Sequence, residues 1–306
     1  MKKYPIKLSS FPVSRIWGGE KLKKEWGFES EEDSIAEEWV LSCRDDKMSV
    51  AENGELCGTP LFELAGVKVP LLIKLIDAAD KLSVQVHPDD EIAKQNAEND
   101  SGKNEMWYVL DAKEGANIVY GLKENVSVPE LLAAAERGQI EELLNFVPVK
   151  KGDCFYIPAG LVHGIGEGIL IAEIQQNSDL TYRIYDYCRT DKNGKMRELH
   201  TKKGSAAIKK YTEDEILSAR YEYGKTEDAC LANNRYFKVT LLRICEEGVT
   251  LNAKASFKAL LVTDGNATLY CDSEKYEIKK GDSYFLSKGT NECCIKGNAE
   301  ILVSEI

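Results

Sequence analysis

Histidine is scarce in this chain: three among 306 residues, His87, His163 and His200. Any chemistry that needs imidazole must draw on these. Long apolar runs are missing too. None approaches the about 18 residues that a membrane helix needs. The nine cysteines are scattered, with one adjacent pair, Cys293-Cys294, and no CxxC. That spacing argues against a cysteine-based zinc site. There is no basic excess. Lysine plus arginine is 40 against 51 aspartates and glutamates, a formal charge of −11. This argues against a dedicated nucleic-acid binder and leaves room only for a local basic pocket. The two lysines near the start have no apolar stretch behind them. No signal peptide is expected, and a cytoplasmic protein with reduced thiols is the default.

What is present fits a globular protein. A 43% hydrophobic and 30% charged composition excludes chain-wide disorder. Short β-branched stretches bounded by turn residues recur: VPLLIKLIDA, KLSVQVH, EMWYVLDA, ANIVYG, DCFYIPAG, ILIAEIQQ and, later, YFKVTLLRI, FKALLVTDG, ATLYC, YEIKKGDSYFL and EILVSEI. They predict a mostly β protein. Helical signals are few. Thr59-Pro60 opens one, and Pro88-Asp89-Asp90 precedes another that ends near Asn99. Ser127 and Glu130 form a capping box before LLAAAERGQIEELLNF, which predicts a helical insertion near 127–146. Thr212 and Glu215 suggest a last short helix.

One motif occurs twice. Lys150-Lys151-Gly152-Asp153 precedes CFYIPAGLVH, and Lys279-Lys280-Gly281-Asp282 precedes SYFLSKGTNE, in gapless alignment. Each copy reads as a turn, a strand and a second turn at Gly160 or Gly289. Two β domains of similar build are expected, 1–220 and 221–306. His163 ends the first copy and Glu292 the second, so a metal site in the first would lack a ligand in the second.

Alternate side chains of a strand share a face. Ser83, Gln85 and His87 therefore point one way, next to an apolar opposite face. With Glu105 at the start of another strand and His163 after the Pro158–Gly160 turn, the chain offers two imidazoles, a carboxylate and an amide oxygen. Such sets bind zinc or ferrous iron. A strand face exposed to solvent is the plain alternative.

These segments resemble a known family. PLLIKLIDAADKLSVQVHPDD, GKNEMWYVL, GDCFYIPAGLVHGIG and IAEIQQNSDLTYRIYD are similar to type I mannose-6-phosphate isomerases in their short bacterial form. RIWGG and AEEWVLS match as well, so the resemblance covers most of residues 5–205. It implies two cupin or jelly-roll domains, the first catalytic and the second without a metal site. It implies one zinc ion per chain, held by Gln85, His87, Glu105 and His163. It also implies interconversion of mannose 6-phosphate and fructose 6-phosphate through an enediol(ate).

That chemistry needs oxyanion stabilisation, a proton shuttle and a grip on the phosphate and open chain. By the resemblance, Arg183 sits over the reacting carbons, and Asp179 orients it or a substrate hydroxyl. Lys103 shares the metal-facing side with Glu105, and Lys74 is a further active-site lysine. Ser83 and Arg189 take the phosphate. Glu173 matches a carboxylate near the sugar and is the favoured base, with zinc-bound water and Lys103 as other candidates. Longer members carry a histidine just before the residue matching Lys103. Here Gly102 stands there, which argues against a histidine base. His200 reads as a surface or supporting residue, and Trp17 and Trp39 as packing beneath the sheet.

Two other functions fit parts of the pattern. A ferrous cupin oxygenase shares the two-histidine, one-carboxylate set, although Gln85 and four cationic candidates favour an anionic substrate. A non-catalytic sugar-phosphate-binding cupin would be expected to lack ligands in the first domain. The expected partner is a small sugar phosphate, with no nucleic acid or membrane, in a monomer or homodimer.

Overall fold

The computed structural model describes all residues except 1–2, 192, 213–214, 216–219 and 222–227. Thr212 and Glu215 make the reciprocal bonds of a cap. The helix expected after them, and the expected domain boundary, lie largely outside the described residues.

Three antiparallel sheets carry the fold. A seven-stranded sheet runs in the order Arg220–Tyr221, Cys154–Ile157, Glu105–Ala112, Ile169–Gln176, Leu71–Ala78, Glu37–Leu41 and Phe11–Val13. A five-stranded sheet runs Leu144–Pro148, Asn117–Leu122, His163–Ile165, Val84–Val86 and Tyr182–Tyr185. The C-terminal half forms an eight-stranded sheet built on the long strands Lys258–Cys271 and Cys293–Glu305. The expectation of a mostly β, two-part cupin-type architecture agrees with this.

The strand Leu71–Ala78 is buried at every position. The reason is that its sheet is covered on both faces. Leu71, Ile73 and Leu75 join Met106, Tyr108 and Leu110 in a core that also contains Phe237, Val239, Leu241, Phe257, Phe285 and Leu302 of the C-terminal half. The near-continuous apolar run in its sequence is the mark of such a doubly covered strand. Burying each large side chain there is worth about 1.5–3 kcal/mol. Tyr108 Oη bonds Glu300 Oε1 at 3.1 Å across the same junction. On the opposite face, Ile76, Trp107, Val109, Phe155, Ile157 and Ile171 pack with Leu82 and with Ile118, Tyr120 and Ile165 of the five-stranded sheet.

The N-terminal strand Ile6–Lys7 does not stay with its neighbours in sequence. It pairs with Ser283–Leu286 in the C-terminal sheet, Ile6 opposite Phe285 and Lys7 opposite Tyr284.

The helical insertion is shorter than the pattern predicts. Both capping-box bonds form, with Pro129 in the first turn, and the helix runs Val128–Glu136. Gly138, at φ +70°, ends it in the left-handed region that favours glycine. Ile140–Leu143 is a 3-10 turn, and Leu144–Pro148 is a strand paired with Asn117–Leu122. The helix expected after Pro88 runs Asp90–Gln95, with Asp89 Oδ1 accepting from Ile92 N at 2.8 Å as its N-cap.

Candidate metal and active site

The two facing sheets of the first half supply the site from opposite sides. On the five-stranded sheet Gln85 lies directly opposite both His163 and Arg183. On the seven-stranded sheet Glu173 is flanked by Lys74 and Trp107, and Gln175 lies opposite Glu105. Cross-strand partners share a face, so these side chains enter one space between the sheets.

His87, Glu105 and His163 are buried, and their ligating atoms lie within 4.8 Å of one another. Glu105 Oε2 is 3.3 Å from His87 Nε2, and Glu105 Oε1 is 3.5 Å from His163 Nε2. Each ring is oriented through its other nitrogen: His87 Nδ1 to Leu180 O at 2.7 Å and His163 Nδ1 to Leu161 O at 2.9 Å. With Nδ1 donating, both Nε2 atoms turn a lone pair toward the carboxylate. Burial lowers the pKa of both imidazoles, with help from Lys103 at His87 and from His87 at His163, where it falls to about 3. Both are therefore neutral at working pH, as ligands must be. Burial alone would raise Glu105, but Lys103, His87 and His163 outweigh it and hold the carboxyl well below its usual range.

Neither oxygen of Glu105 has a hydrogen bond, although both are buried; Lys103 Nζ stands 2.9 Å from Oε2 as an ion pair. A buried carboxylate without hydrogen bonds is costly unless something else meets it. Two neutral imidazoles and this carboxylate fit a divalent cation. Gln85 adjoins the cluster, its Nε2 3.3 Å from His163 Nε2, while its Oε1 accepts from Ser83 Oγ at 3.3 Å.

Beside this cluster lies a second one. Glu173 Oε2 accepts from Trp107 Nε1 at 3.0 Å. Its other oxygen is buried with no hydrogen bond, 3.6 Å from Lys74 Nζ and 3.9 Å from Lys103 Nζ. Burial, and then Glu105, raise its pKa against the two lysines. Lys74 Nζ also lies 3.3 Å from Glu37 and 3.8 Å from Asp179, over the Trp39 ring. Burial opposes its charge, yet Glu37, Glu173 and Asp179 raise its pKa and keep it cationic.

The structure thus brings together Lys74, Lys103, Glu173 and Asp179 beside Gln85, His87, Glu105 and His163, with Ser83 at Gln85 and Arg183 across from it. Arg189 is engaged elsewhere, by Asp80, Asp186 and the Lys81 carbonyl. Several site residues escaped the sequence reading. Glu37 accepts from Trp39 Nε1 at 2.8 Å and meets Arg15 Nε at 3.6 Å. Trp39 thus lines the site, not merely its underside. Trp107 and Glu37 each alternate with a named residue on one strand face, Glu105 and Trp39, and that period-2 signal points to them. His200 Nδ1 accepts from Arg183 N at 3.1 Å, so it braces the strand that carries Arg183.

Gly102 has a steric cause. A Cβ there would fall 2.4 Å from Asp90 N and 2.5 Å from the Asp89 carbonyl carbon. Gly102 N instead donates to Asp90 Oδ1 at 2.8 Å, and Lys103 N to Pro88 O at 2.9 Å, which aims Lys103 at the cluster.

Comparison with known proteins gives a consistent picture. A family model for the phosphomannose isomerase type I catalytic domain matches residues 6–119, and one for the mannose-6-phosphate isomerase cupin domain matches 228–306. The chain is 38% identical to mannose-6-phosphate isomerase ManA of Bacillus subtilis, covering 95% of this chain and 96% of that one. It is 36% identical to mannose-6-phosphate isomerase of Streptococcus mutans, covering 98% of each. Among solved structures, a mannose 6-phosphate isomerase from Bacillus subtilis superposes with a TM-score of 0.88 at 33% identity, over 99% of both chains. A phosphomannose isomerase variant from Salmonella typhimurium shares the fold, with a TM-score of 0.78 at 16% identity over 98% of this chain and 99% of that one.

Proposed function

The chain belongs to the type I phosphomannose isomerases and interconverts mannose 6-phosphate and fructose 6-phosphate, and we propose that Glu173 moves the proton at a site holding one zinc ion. His87, Glu105 and His163 would hold the ion, with Gln85 as a fourth ligand once its amide is flipped to present Oε1 in place of the Nε2 that faces His163 here. Zinc bound there supplies Lewis-acid stabilisation of negative charge on the sugar oxygens, without redox chemistry.

The remaining steps belong to the chain. The sugar enters as its open form. Glu173 Oε1 takes the proton from C2 of mannose 6-phosphate and returns it at C1, while the O2 hydroxyl proton passes to O1, giving fructose 6-phosphate. A carboxylate whose pKa is raised toward the working pH serves both transfers. Trp107 fixes Oε2, so only Oε1 faces the sugar. Lys103 and Arg183 meet the oxyanion that develops as the proton leaves. Lys74 and Asp179 hold hydroxyls of the chain, and Ser83 and Arg189 lie at the phosphate end. The observation that supports this reading is the lone Glu173 oxygen, buried and unbonded between two ammonium groups.

The reading also places the enzyme in the cytoplasm, as monomer or homodimer. Its nine cysteines are all free, as reducing surroundings keep them. Among the described residues, no helix is long and apolar enough to cross a membrane.

A coupled assay of fructose 6-phosphate formation tests the proposal, with metal content measured on the same samples. Chelation should remove about one zinc per chain and the activity together, and added zinc should restore both. Glu173→Gln should keep the metal and lose turnover. Near-normal turnover in that variant would take Glu173 out of the role, and oxygen uptake by iron-loaded protein would mark a different chemistry at this site.

A further inference from the structure

Lys74 stands among three carboxylates, 3.3 Å from Glu37, 3.6 Å from Glu173 and 3.8 Å from Asp179. Two of them are shut away, with side chains 10% and 4% exposed, whereas Asp179 is 46% exposed. Of the three, Asp179 is therefore the one a solute reaches most freely. Its carboxylate accepts no hydrogen bond from a described residue and meets Lys74 only as an ion pair. A half-exposed ion pair holds a side chain weakly, so the direction of Asp179 has to come from its backbone.

That backbone is fixed from other parts of the chain. Asp179 N donates to Asp100 Oδ2 at 3.1 Å. The same oxygen accepts from Arg44 Nη1 at 2.8 Å, and Arg44 Nη1 also reaches Asn177 O at 3.4 Å. Arg44 and Asp100 thus hold the chain on both sides of Ser178. Arg44 lies on the hairpin that pairs Cys43–Arg44 with Lys47–Met48, and Asp100 in the loop between Asp90–Gln95 and Glu105–Ala112. The pairing also settles a charge conflict. Without Arg44, Asp100 would set a bare carboxylate beside Asp179, and like charges repel.

The rest of the turn is secured separately. Gln175 Nε2 donates to Gln176 O at 2.9 Å and to Ser178 O at 2.5 Å. Asn177 N donates to Pro70 O at 2.9 Å, and its Nδ2 to Cys43 O and Val69 O at 3.3 Å each. Ser178 Oγ donates to Ser101 O at 2.7 Å and accepts from Leu180 N at 3.4 Å, next to the Leu180 carbonyl that orients His87. Removing Asp100 would free the Asp179 amide and leave these bonds to keep the turn and His87 in place.

We infer that Asp100 is a positioning residue for the isomerisation, which aims Asp179 at Lys74 and the sugar chain, with Arg44 as its counterion. The inference rests on the reading of Asp179 as a holder of substrate hydroxyls. A side chain that meets substrate directly loses binding when its anchor loosens, even though the anchor touches nothing that reacts.

The test is steady-state kinetics with mannose 6-phosphate on zinc-loaded enzyme, with zinc content measured on every variant. Mannitol 1-phosphate, an open chain without a carbonyl, is titrated by calorimetry alongside. Asp179→Asn should raise KM and the mannitol 1-phosphate dissociation constant about ten- to a hundredfold, the weight of a hydrogen bond to a charged group. Asp100→Ala should raise both by less, about three- to tenfold, on KM more than on kcat and with zinc content unchanged. Asp100→Asn keeps an acceptor for Asp179 N and should recover most of that loss. Added to Asp179→Asn, Asp100→Ala should change nothing more, because it acts through that residue. Wild-type constants in Asp100→Ala beside an impaired Asp179→Asn would overturn the inference, as would additive losses in the double variant or loss of zinc from Asp100→Ala. Wild-type constants in Asp179→Asn would instead take the hydroxyl role from Asp179, and the reading on which the inference stands would fail first. If Asp100→Ala folds poorly, Arg44→Leu carries the same test: both constants should rise, and Arg44→Lys should recover part of the rise.

Discussion

In the first half, Lys150 N donates to Asp153 Oδ2 at 3.0 Å and Gly152 N to Val109 O at 2.8 Å; in the second, Lys279 N donates to Asp282 Oδ2 at 3.0 Å and Gly281 N to Val262 O at 2.9 Å. Gly152 and Gly281 share a φ of 91°. The match continues along the strands. Gly160 N donates to His87 O, and Gly289 N to Ala253 O. Ile157 pairs with Glu105, and Leu286 with Lys258. Where the first half has His87, Glu105 and His163, the second therefore has Ala253, Lys258 and Glu292. The sequence pattern exposes one of these replacements, and the register exposes the other two. The second half lacks all three ligating residues and keeps these backbone bonds of the frame. The frame is built in the second half without those ligands, so a cation held in the first half would serve chemistry and not architecture, unlike a structural zinc.

The sharpest way to break this comparison is to strip the first half of a ligand. His87→Ala should abolish stable zinc binding and lower kcat on the order of 10⁴-fold, the several kcal/mol a metal contributes to charge stabilisation. Metal analysis and the coupled assay read both, and circular dichroism should show the fold retained. Retained zinc and activity would mean that the metal sits elsewhere. Next in size is Glu173→Gln, which should cut turnover about 10²–10⁴-fold with zinc unchanged.

The junction between the halves comes after these. Phe285 is fully buried in the shared core, and Phe285→Ala should cost about 3–5 kcal/mol in denaturant unfolding. A loss below about 1 kcal/mol would show that the halves barely depend on each other. Glu38 provides a smaller, pH-dependent probe of the same junction. It pairs with Leu75 of the shared core, is 1% exposed, and has one oxygen without a partner. Burial, against a bond from Ser10, pushes its carboxyl from 4.5 up to about 7. The folded state thus binds an extra proton between these values, and stability falls as pH rises through that window. Glu38→Gln should remove up to about 3 kcal/mol of that slope, raising the melting temperature at pH 8 more than at pH 5. An equal shift at both would refute the assignment. The smallest effect belongs to Glu292→Gln, which should leave zinc content and turnover unchanged.

Much of this was legible in the sequence because it is written locally. The period-2 face of Ser83, Gln85 and His87, the capping box at Ser127 and the two Lys-Lys-Gly-Asp turns each fall within a few residues. What escaped depends on partners far along the chain. Glu37 acquires its meaning from Lys74 and Arg15, and the strand Ile6–Lys7 from Tyr284 and Phe285. No spacing rule reaches those pairs. The 144–148 segment was misread for a related reason: its apolar residues suit a helix as well as a strand, and only the edge offered by Asn117–Leu122 decides.

The pairing of Ile6–Lys7 with Ser283–Leu286 also dictates timing. Ile6–Lys7 leaves the ribosome long before Ser283–Leu286 and must wait for it. At typical rates of about 5–20 residues per second that wait is about 15–60 s. Through it the outer face of the catalytic sheet, with Ile73, Met106 and Tyr108, has no cover from the C-terminal half. Such long-range closure folds slowly, and an apolar sheet face left bare for that long invites self-association. Nascent chains cut short before Ser283 are therefore expected to depend on chaperones, whereas the completed enzyme is not.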